Sequence, residues 1–274
     1  MNTPLIASRW PFRFTMSRAL RLPAGLFFWL PAIACLMPGF AACGTAKHLP
    51  VVQYDKKDRS GVNEQEYLSG IRNELKKEWP ANRTINLVFH GHSVPSGYAR
   101  TPMVNTFDSY PYLFLQALKA EYPYAVVNII VTAKGGENSE SGAARFEQDV
   151  LIHRPDVVFI DYALNDFGPG LERSRKAWST MIEMAKKRHI PVILLTPSPD
   201  LRVDFSNPGN DLQRHTDQIK ALAKEYHTGL VNSFGIFKSL YSKGDSLKDY
   251  MSQVNHPNKA GNQLIADEIM KWFR

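Results

Sequence analysis

Short apolar runs alternate with segments whose apolar residues recur at helical spacing. The runs Ile85–His90, Ala125–Val131, Asp156–Tyr162, Pro191–Leu195 and Gly229–Asn232 read as five strands. Between and around them, helices are expected at 64–79, 109–121, 141–153, 170–188, 211–226 and 258–273. In the first, Tyr67, Leu68, Ile71, Leu75 and Trp79 share one face; in the second, Leu113, Phe114, Ala117 and Leu118 do. Most strands are continuous apolar runs rather than two-sided alternations. With regular strand–helix alternation, that predicts an α/β fold in which a five-stranded parallel sheet is buried between helical layers. Ligands of such sheets bind beyond the carboxyl ends of the strands.

The first 43 residues have a different pattern. Arg9, Arg13, Arg18 and Arg21 precede the apolar stretch Leu22–Cys35, the layout of an export signal. Pro31, Pro38 and Gly39 interrupt that stretch, which disfavours a lone membrane-spanning anchor. The segment ends in Phe40-Ala41-Ala42-Cys43-Gly44, which resembles a bacterial lipobox. By that resemblance Cys43 is lipidated and anchors the protein to the cell envelope. Cys35 is a second candidate, and cleavage near Ala46 with release of a secreted protein is the competing outcome. Residues 44–62, with Lys47, Pro50, Lys56, Lys57, Asp58 and Gly61, read as a polar tether, leaving 63–274 as the domain.

The leader changes how composition is read. The formal charge is +7, but without the four leader arginines 29 of the 33 basic residues face 26 acidic ones. No basic stripe with interleaved aromatics appears, so a nucleic-acid partner is not expected. Both cysteines precede residue 44, so the domain has no disulfide, cysteine nucleophile or thiolate metal site. No ligand-spaced histidine or carboxylate cluster suggests a metal, and no cofactor is expected.

Candidate chemistry gathers at the strand ends. The first strand stops at Gly91, and Ser93 follows before any helical pattern begins. Asn165 and Asp166 lie just beyond the third strand. A serine needs a base and a set of donors for the oxyanion it creates. His256, in Val254–Gly261 just before the last helix, is the best base, with Pro257 fixing the backbone and Asn258 placed to cap the helix. His90 and His92 read as packing or loop residues, and His153, His189, His215 and His227 as surface or capping residues.

These pieces together resemble the SGNH (GDSL) hydrolase family. The matching residues are Gly91-His92-Ser93, Gly136, Ala163-Leu164-Asn165-Asp166 and Asn255-His256-Pro257-Asn258, in the family's order across 85–273. The resemblance implies a three-layer, flavodoxin-like α/β/α sandwich and a serine esterase working through an acyl-enzyme. It implies Ser93 as nucleophile and His256 as base. The oxyanion donors are then the N–H groups of Ser93 and Gly136 and the Asn165 amide, with Gly135 as the alternative to Gly136. The expected substrate is a small, acetyl-type ester, on a carbohydrate or a lysolipid.

Three positions depart from the family pattern. His92 stands where Gly-Asp-Ser has aspartate, and Ala163 where Gly-x-Asn-Asp has glycine. Gln253 occupies the position, three residues before the histidine, where a carboxylate is expected. Its side-chain carbonyl or a backbone carbonyl remains to orient the ring, and Asp249 is nearby at the wrong spacing. Gln253 also motivates a second reading, a non-catalytic ligand-binding lipoprotein that kept the fold. The serine motif lacks the second glycine of Gly-x-Ser-x-Gly and follows the first strand, which disfavours the α/β-hydrolase fold. The segment from Pro197 to Gly209, with Asp200, Arg202, Asp204 and Asn207, is expected to rim the pocket and to favour a polar ester.

Overall fold

A computed structural model describes residues 62–274. The export signal, Cys35, Cys43 and the tether up to residue 61 lie outside the described residues. No helix among the described residues is long and apolar enough to cross a membrane.

The sheet has five parallel strands: β1 (Thr84–Gly91), β2 (Val126–Val131), β3 (Val157–Asp161), β4 (Val192–Leu195) and β5 (Gly229–Val231), in the order β2-β1-β3-β4-β5. The three central strands are nearly or wholly buried, and alternate side chains serve the two faces. Leu87, Phe89, Val157, Phe159, Ile193 and Leu195 enter one core; Val88, Val158, Ile160, Val192 and Leu194 enter the other. β2 differs from its expectation as a buried strand. It is an edge, with Val126 47% exposed and Asn128 hydrogen-bonded outward to Asn86.

Helices cover both faces. Two short pieces, α1 (Glu64–Tyr67) and α2 (Ser69–Leu75), then α3 (Tyr110–Glu121), α8 (Ser233–Ser242) and α9 (Lys259–Met270) pack on the first face. The second is covered by α4 (Ser139–Ala144), α5 (Phe146–Asp149), α6 (Gly170–Lys186) and most of α7 (Asp211–Tyr226). Trp178, Met181, Ile182 and Ala185 of α6 form its centre. Asparagines start several of these helices: Asn138, Asn210, Asn232 and Asn258 each accept a backbone N–H of the first turn. A small antiparallel ladder, β6 (Met251–Gln253) with β7 (His256–Pro257), precedes α9.

Four expectations are corrected. The helix at 64–79 breaks at Leu68 and ends at Leu75, leaving Trp79 outside it and 85% exposed; a helical conformation at Trp79 is in any case disfavoured by Pro80. The helix at 141–153 is α4, α5 and a 3-10 turn, Leu151–His153, broken at Arg145 and Val150. The helix α8 has no counterpart in the sequence reading; Gly235 in its first turn weakens its signal. His215 is buried on α7, against Phe167, rather than at the surface.

With β1 lying between β2 and β3, successive connections diverge to opposite sides of β1. The crevice between the carboxyl ends of β1 and β3 is therefore where a ligand belongs in an open sheet. The two strands are tightly apposed there. A Cβ on Gly91 would stand 2.3 Å from the carbonyl oxygen of Asp161, a backbone atom that has no flexible end to move aside. Gly91→Ala is expected to cost about 1–3 kcal/mol of stability, as overpacked cores do. Chemical denaturation reads it, and an unchanged midpoint would contradict the packing described.

Candidate active site

At the end of β1 the chain turns sharply. The N–H of Gly97 bonds Val94 O at 2.9 Å and that of Tyr98 bonds Ser93 O at 3.0 Å. Ser96 Oγ reaches back to His92 O at 2.9 Å. Ser93 thus sits at the head of a closed turn, 7% exposed. His256 arrives from 163 residues further on, and its Nε2 is 2.9 Å from Ser93 Oγ. Ser252 Oγ donates to His256 O at 3.0 Å, and Asn258 N–H to Tyr250 O at 2.9 Å, which fixes the backbone around the ring.

The other face of the imidazole decides its tautomer. Nδ1 lies 2.9 Å from the carbonyl oxygen of Ala99, a group that only accepts. Nδ1 therefore carries the proton, leaving the Nε2 lone pair for the serine hydroxyl. Gln253 Nε2 is also close to Nδ1, at 2.8 Å, but an amide nitrogen cannot accept that proton. Its own hydrogens are directed to Asn255 Oδ1 at 3.1 Å and Thr101 Oγ1 at 3.3 Å, while Oε1 accepts Thr101 N–H at 3.0 Å. Gln253 is a clamp on the loop that carries Ala99. The backbone carbonyl, one of the two supports expected from sequence, orients the ring. Asp249 is not a partner of His256; its backbone carbonyl accepts from Asn258. Burial lowers the His256 pKa, opposed by the Ala99 hydrogen bond and reinforced by His92.

Two further loops meet at this edge. Lys134 N–H bonds Gly91 O at 3.0 Å, tying the loop after β2 to the end of β1. Gly136 adopts φ +76, a conformation open to glycine, with free space around it. Gly135, by contrast, lies against the Tyr98 ring, which also neighbours His256. Asn165 ends a 3-10 turn and gives one amide hydrogen to Glu137 O at 2.9 Å. Asp166 accepts Ser139 N–H and Trp178 Nε1–H, both at 2.8 Å, so the two loops are joined at two points. Burial raises the Asp166 pKa against those bonds. Among the described hydrogen bonds, none is given by the N–H of Ser93 or of Gly136.

Beneath the Gly136 loop is a polar network that sequence reasoning missed. The Arg145 guanidinium bonds the Glu137 carboxylate through Nε at 2.8 Å and Asp149 at 2.9 Å. Tyr162 O–H donates to Glu137 at 2.9 Å and lies 3.1 Å from His90 Nε2. Burial opposes ionisation of Glu137, but the Arg145 and Tyr162 hydrogen bonds prevail and lower its pKa. Burial, with Arg145 nearby, pushes His90 down to about 4 and keeps it neutral. The segment expected to rim the pocket is joined to the His256 loop by Leu201 N–H to Val254 O at 2.7 Å. Its start is buried, with Asp200 3% exposed and paired to Arg202 rather than offered to solvent. Leu201, Val203 and Phe205 line a cavity of about 290 Å³ with Tyr241 and Leu247, which includes neither Ser93 nor His256. Among the described residues no group of three or more His, Cys, Asp or Glu converges as metal ligands would.

A parallel α/β/α sheet with a hydrogen-bonded serine and histidine at its carboxyl edge defines a hydrolase architecture. The GDSL-like lipase/acylhydrolase family matches residues 89–264, well over half the chain. No curated protein matches it. Among solved structures, a two-domain esterase (CEX) active on acetylated mannans superposes with a TM-score of 0.63 at 22% identity, covering 79% of this chain. The chain spans 55% of that esterase's length. Axe2, an acetylxylan esterase from Geobacillus stearothermophilus, gives 0.58 at 20% identity, covering 69% of this chain and 94% of Axe2. The acetyl xylan esterase AlAXEase gives 0.57 at 25%, covering 68% and 98%. The chain belongs to the GDSL-like lipase/acylhydrolase (SGNH) family. The non-catalytic alternative rested on Gln253, and the Ala99 carbonyl supplies the ring contact whose loss motivated it.

Because burial holds the His256 pKa down, the acid limb of kcat/KM should fall below the ordinary imidazole value of 6.5. Gln253→Ala should lower kcat about tenfold, the scale of a lost hydrogen bond, and leave that limb in place. A loss as deep as that of His256→Ala would contradict the assignment of Gln253 as a loop clamp.

Proposed function

We propose that this protein is an ester hydrolase that removes acetyl groups from a carbohydrate through a covalent acyl-enzyme on Ser93. The observation that carries the mechanism is the 2.9 Å contact between Ser93 Oγ and His256 Nε2, with Nδ1 held on the Ala99 carbonyl. His256 takes the hydroxyl proton as Oγ bonds to the ester carbonyl carbon. The oxyanion then faces the N–H groups of Ser93 and Gly136 and the second amide hydrogen of Asn165. Loss of one such donor typically costs about 10²–10³ in kcat. His256 passes the proton to the leaving alcohol as the C–O bond breaks, leaving an acetyl ester on Ser93. A water molecule, deprotonated by the same imidazole, hydrolyses that ester and releases acetate. The substrate reading draws on the acetylated mannan and acetyl xylan activities named for the three structural neighbours.

The leader adds a place of action. In this reading the domain is exported and held at the cell envelope through a lipidated Cys43, where acetylated polysaccharide is accessible. The expected result of Cys43→Ala is transfer of the protein from the membrane fraction to the soluble fraction. Equal partition of variant and wild type would remove the anchor.

The activity is tested on acetylated xylo- and manno-oligosaccharides, with p-nitrophenyl acetate as a reporter. Ser93→Ala and His256→Ala should each reduce kcat by about 10⁴–10⁶, the range found when members of a serine–histidine unit are removed. Undiminished turnover in either variant would contradict the mechanism. Absence of acetate release from both sugars, with the reporter still cleaved, would contradict the substrate class.

A further inference from the structure

The mechanism above uses neither His92 nor Asp161, yet both are buried directly behind the nucleophile. His92 is fully buried and Asp161 is 4% exposed. His92 Nδ1 accepts the N–H of Val94 at 3.2 Å, so that nitrogen carries a lone pair and the proton is on Nε2. Nε2 lies 3.3 Å from Asp161 Oδ1, beside the carboxylate but off the line of a hydrogen bond, and neither atom has a hydrogen-bond partner among the described residues. The other Asp161 oxygen accepts Tyr110 O–H at 3.0 Å. Burial and the Asp161 charge raise the Tyr110 pKa well above its usual value, which keeps the phenol a donor. The backbone joins in, with His92 N–H on Asp161 O at 3.2 Å.

This arrangement bears on Ser93 in two ways. The Val94 N–H bond closes the turn immediately after the nucleophile. His92 Nδ1 also lies 3.5 Å from Ser93 Oγ, against 2.9 Å for His256 Nε2. With its lone pair turned to Val94, His92 does not compete for the serine proton. The opposite tautomer would set an N–H against the Val94 N–H and lose the turn.

We infer that His92 and Asp161 are a coupled positioning pair for Ser93: His92 is the acceptor that closes the nucleophile turn, and Asp161 fixes the tautomer that makes it one. The inference rests on the serine reading of the site. It carries a consequence for exchange of the two residues. An aspartate at 92 has the reach to accept the Val94 N–H itself, as the acceptor of an Asx turn does. It would then face Asp161, and two carboxylates sharing a buried site cannot both ionise freely. Removing the charge at 161 relieves that conflict.

The test compares wild type, Ser93→Ala, His92→Ala, His92→Asp, His92→Asn, Asp161→Asn and the double variant His92→Asp/Asp161→Asn. Each is measured for fluorophosphonate labelling rate, p-nitrophenyl acetate kinetics and thermal unfolding. His92→Ala and His92→Asp should each lose about 100-fold in labelling and kcat with KM little changed, the cost of a small misplacement of a reacting group. Asp161→Asn should lose less. The double variant should recover to within about tenfold of wild type, as should His92→Asn, whose uncharged side chain still accepts the Val94 N–H. A double variant no faster than His92→Asp, or His92→Asn as slow as His92→Ala, overturns the inference. Should the single variants unfold, recovered folding and labelling in the double variant supports the coupling, and its absence overturns it. Wild type and Ser93→Ala labelling alike would sink the serine reading itself, whatever the other variants do.

Discussion

The site depends on one apposition, the carboxyl ends of β1 and β3 pressed together where Gly91 lies on the carbonyl of Asp161. No side chain fits between them, so the chain leaving β1 emerges directly above the end of β3. Ser93 is then delivered two residues past the strand, in a turn closed on itself and on His92. The turn carrying Asn165 rises from β3 beside it. The loop after β2 is drawn in by Lys134 N–H on Gly91 O, which brings Gly136 to the same edge. Physical packing at one glycine thus gathers three stretches of chain.

The fourth stretch comes from the far end of the sequence and needs a separate connection. It is supplied by α3 and α9. Tyr110 gives its hydroxyl to Asp161 and its backbone N–H to Asn262 Oδ1 at 3.2 Å. Asn262 in turn donates to Pro257 O at 3.1 Å, one residue beyond His256. A continuous set of buried hydrogen bonds therefore runs from behind the nucleophile, through two helices, to the backbone of the base. Buried hydrogen bonds of this kind hold the groups they join in fixed positions. Here the rigidity is placed between the two groups whose separation matters most.

Much of this was readable from residue pattern. Continuous apolar runs announce a parallel sheet because both its faces are covered, and the strand ends of β1 and β3 marked Ser93 and Asn165. The failures have identifiable causes. Val126–Val131 looks like a central strand by composition, but strand order is a tertiary property and places it at the edge. The run to Trp79 kept helical spacing beyond Leu75, where the helix ends. Ala99 had no signal at all, since every residue type supplies a carbonyl and only folding brings this one to His256. The His92–Asp161 pair was half visible: both residues stood at strand ends, but their register was not. Gln253 shows the reverse case: the sequence offered its side-chain carbonyl as a support for the ring, and the folded chain turns that carbonyl to the Thr101 N–H instead.

The loss of a carboxylate behind the histidine is thus met by a neutral acceptor, which fixes the tautomer without adding negative charge. That suits a buried imidazole whose pKa is already held low by desolvation. The decisive measurement is mass spectrometry of the protein quenched in acid during turnover of an aryl acetate. The account predicts a mass increment of one acetyl group, confined to the peptide bearing Ser93 and absent from Ser93→Ala. Acetylation at another residue during productive turnover, or full turnover by Ser93→Ala, would contradict it.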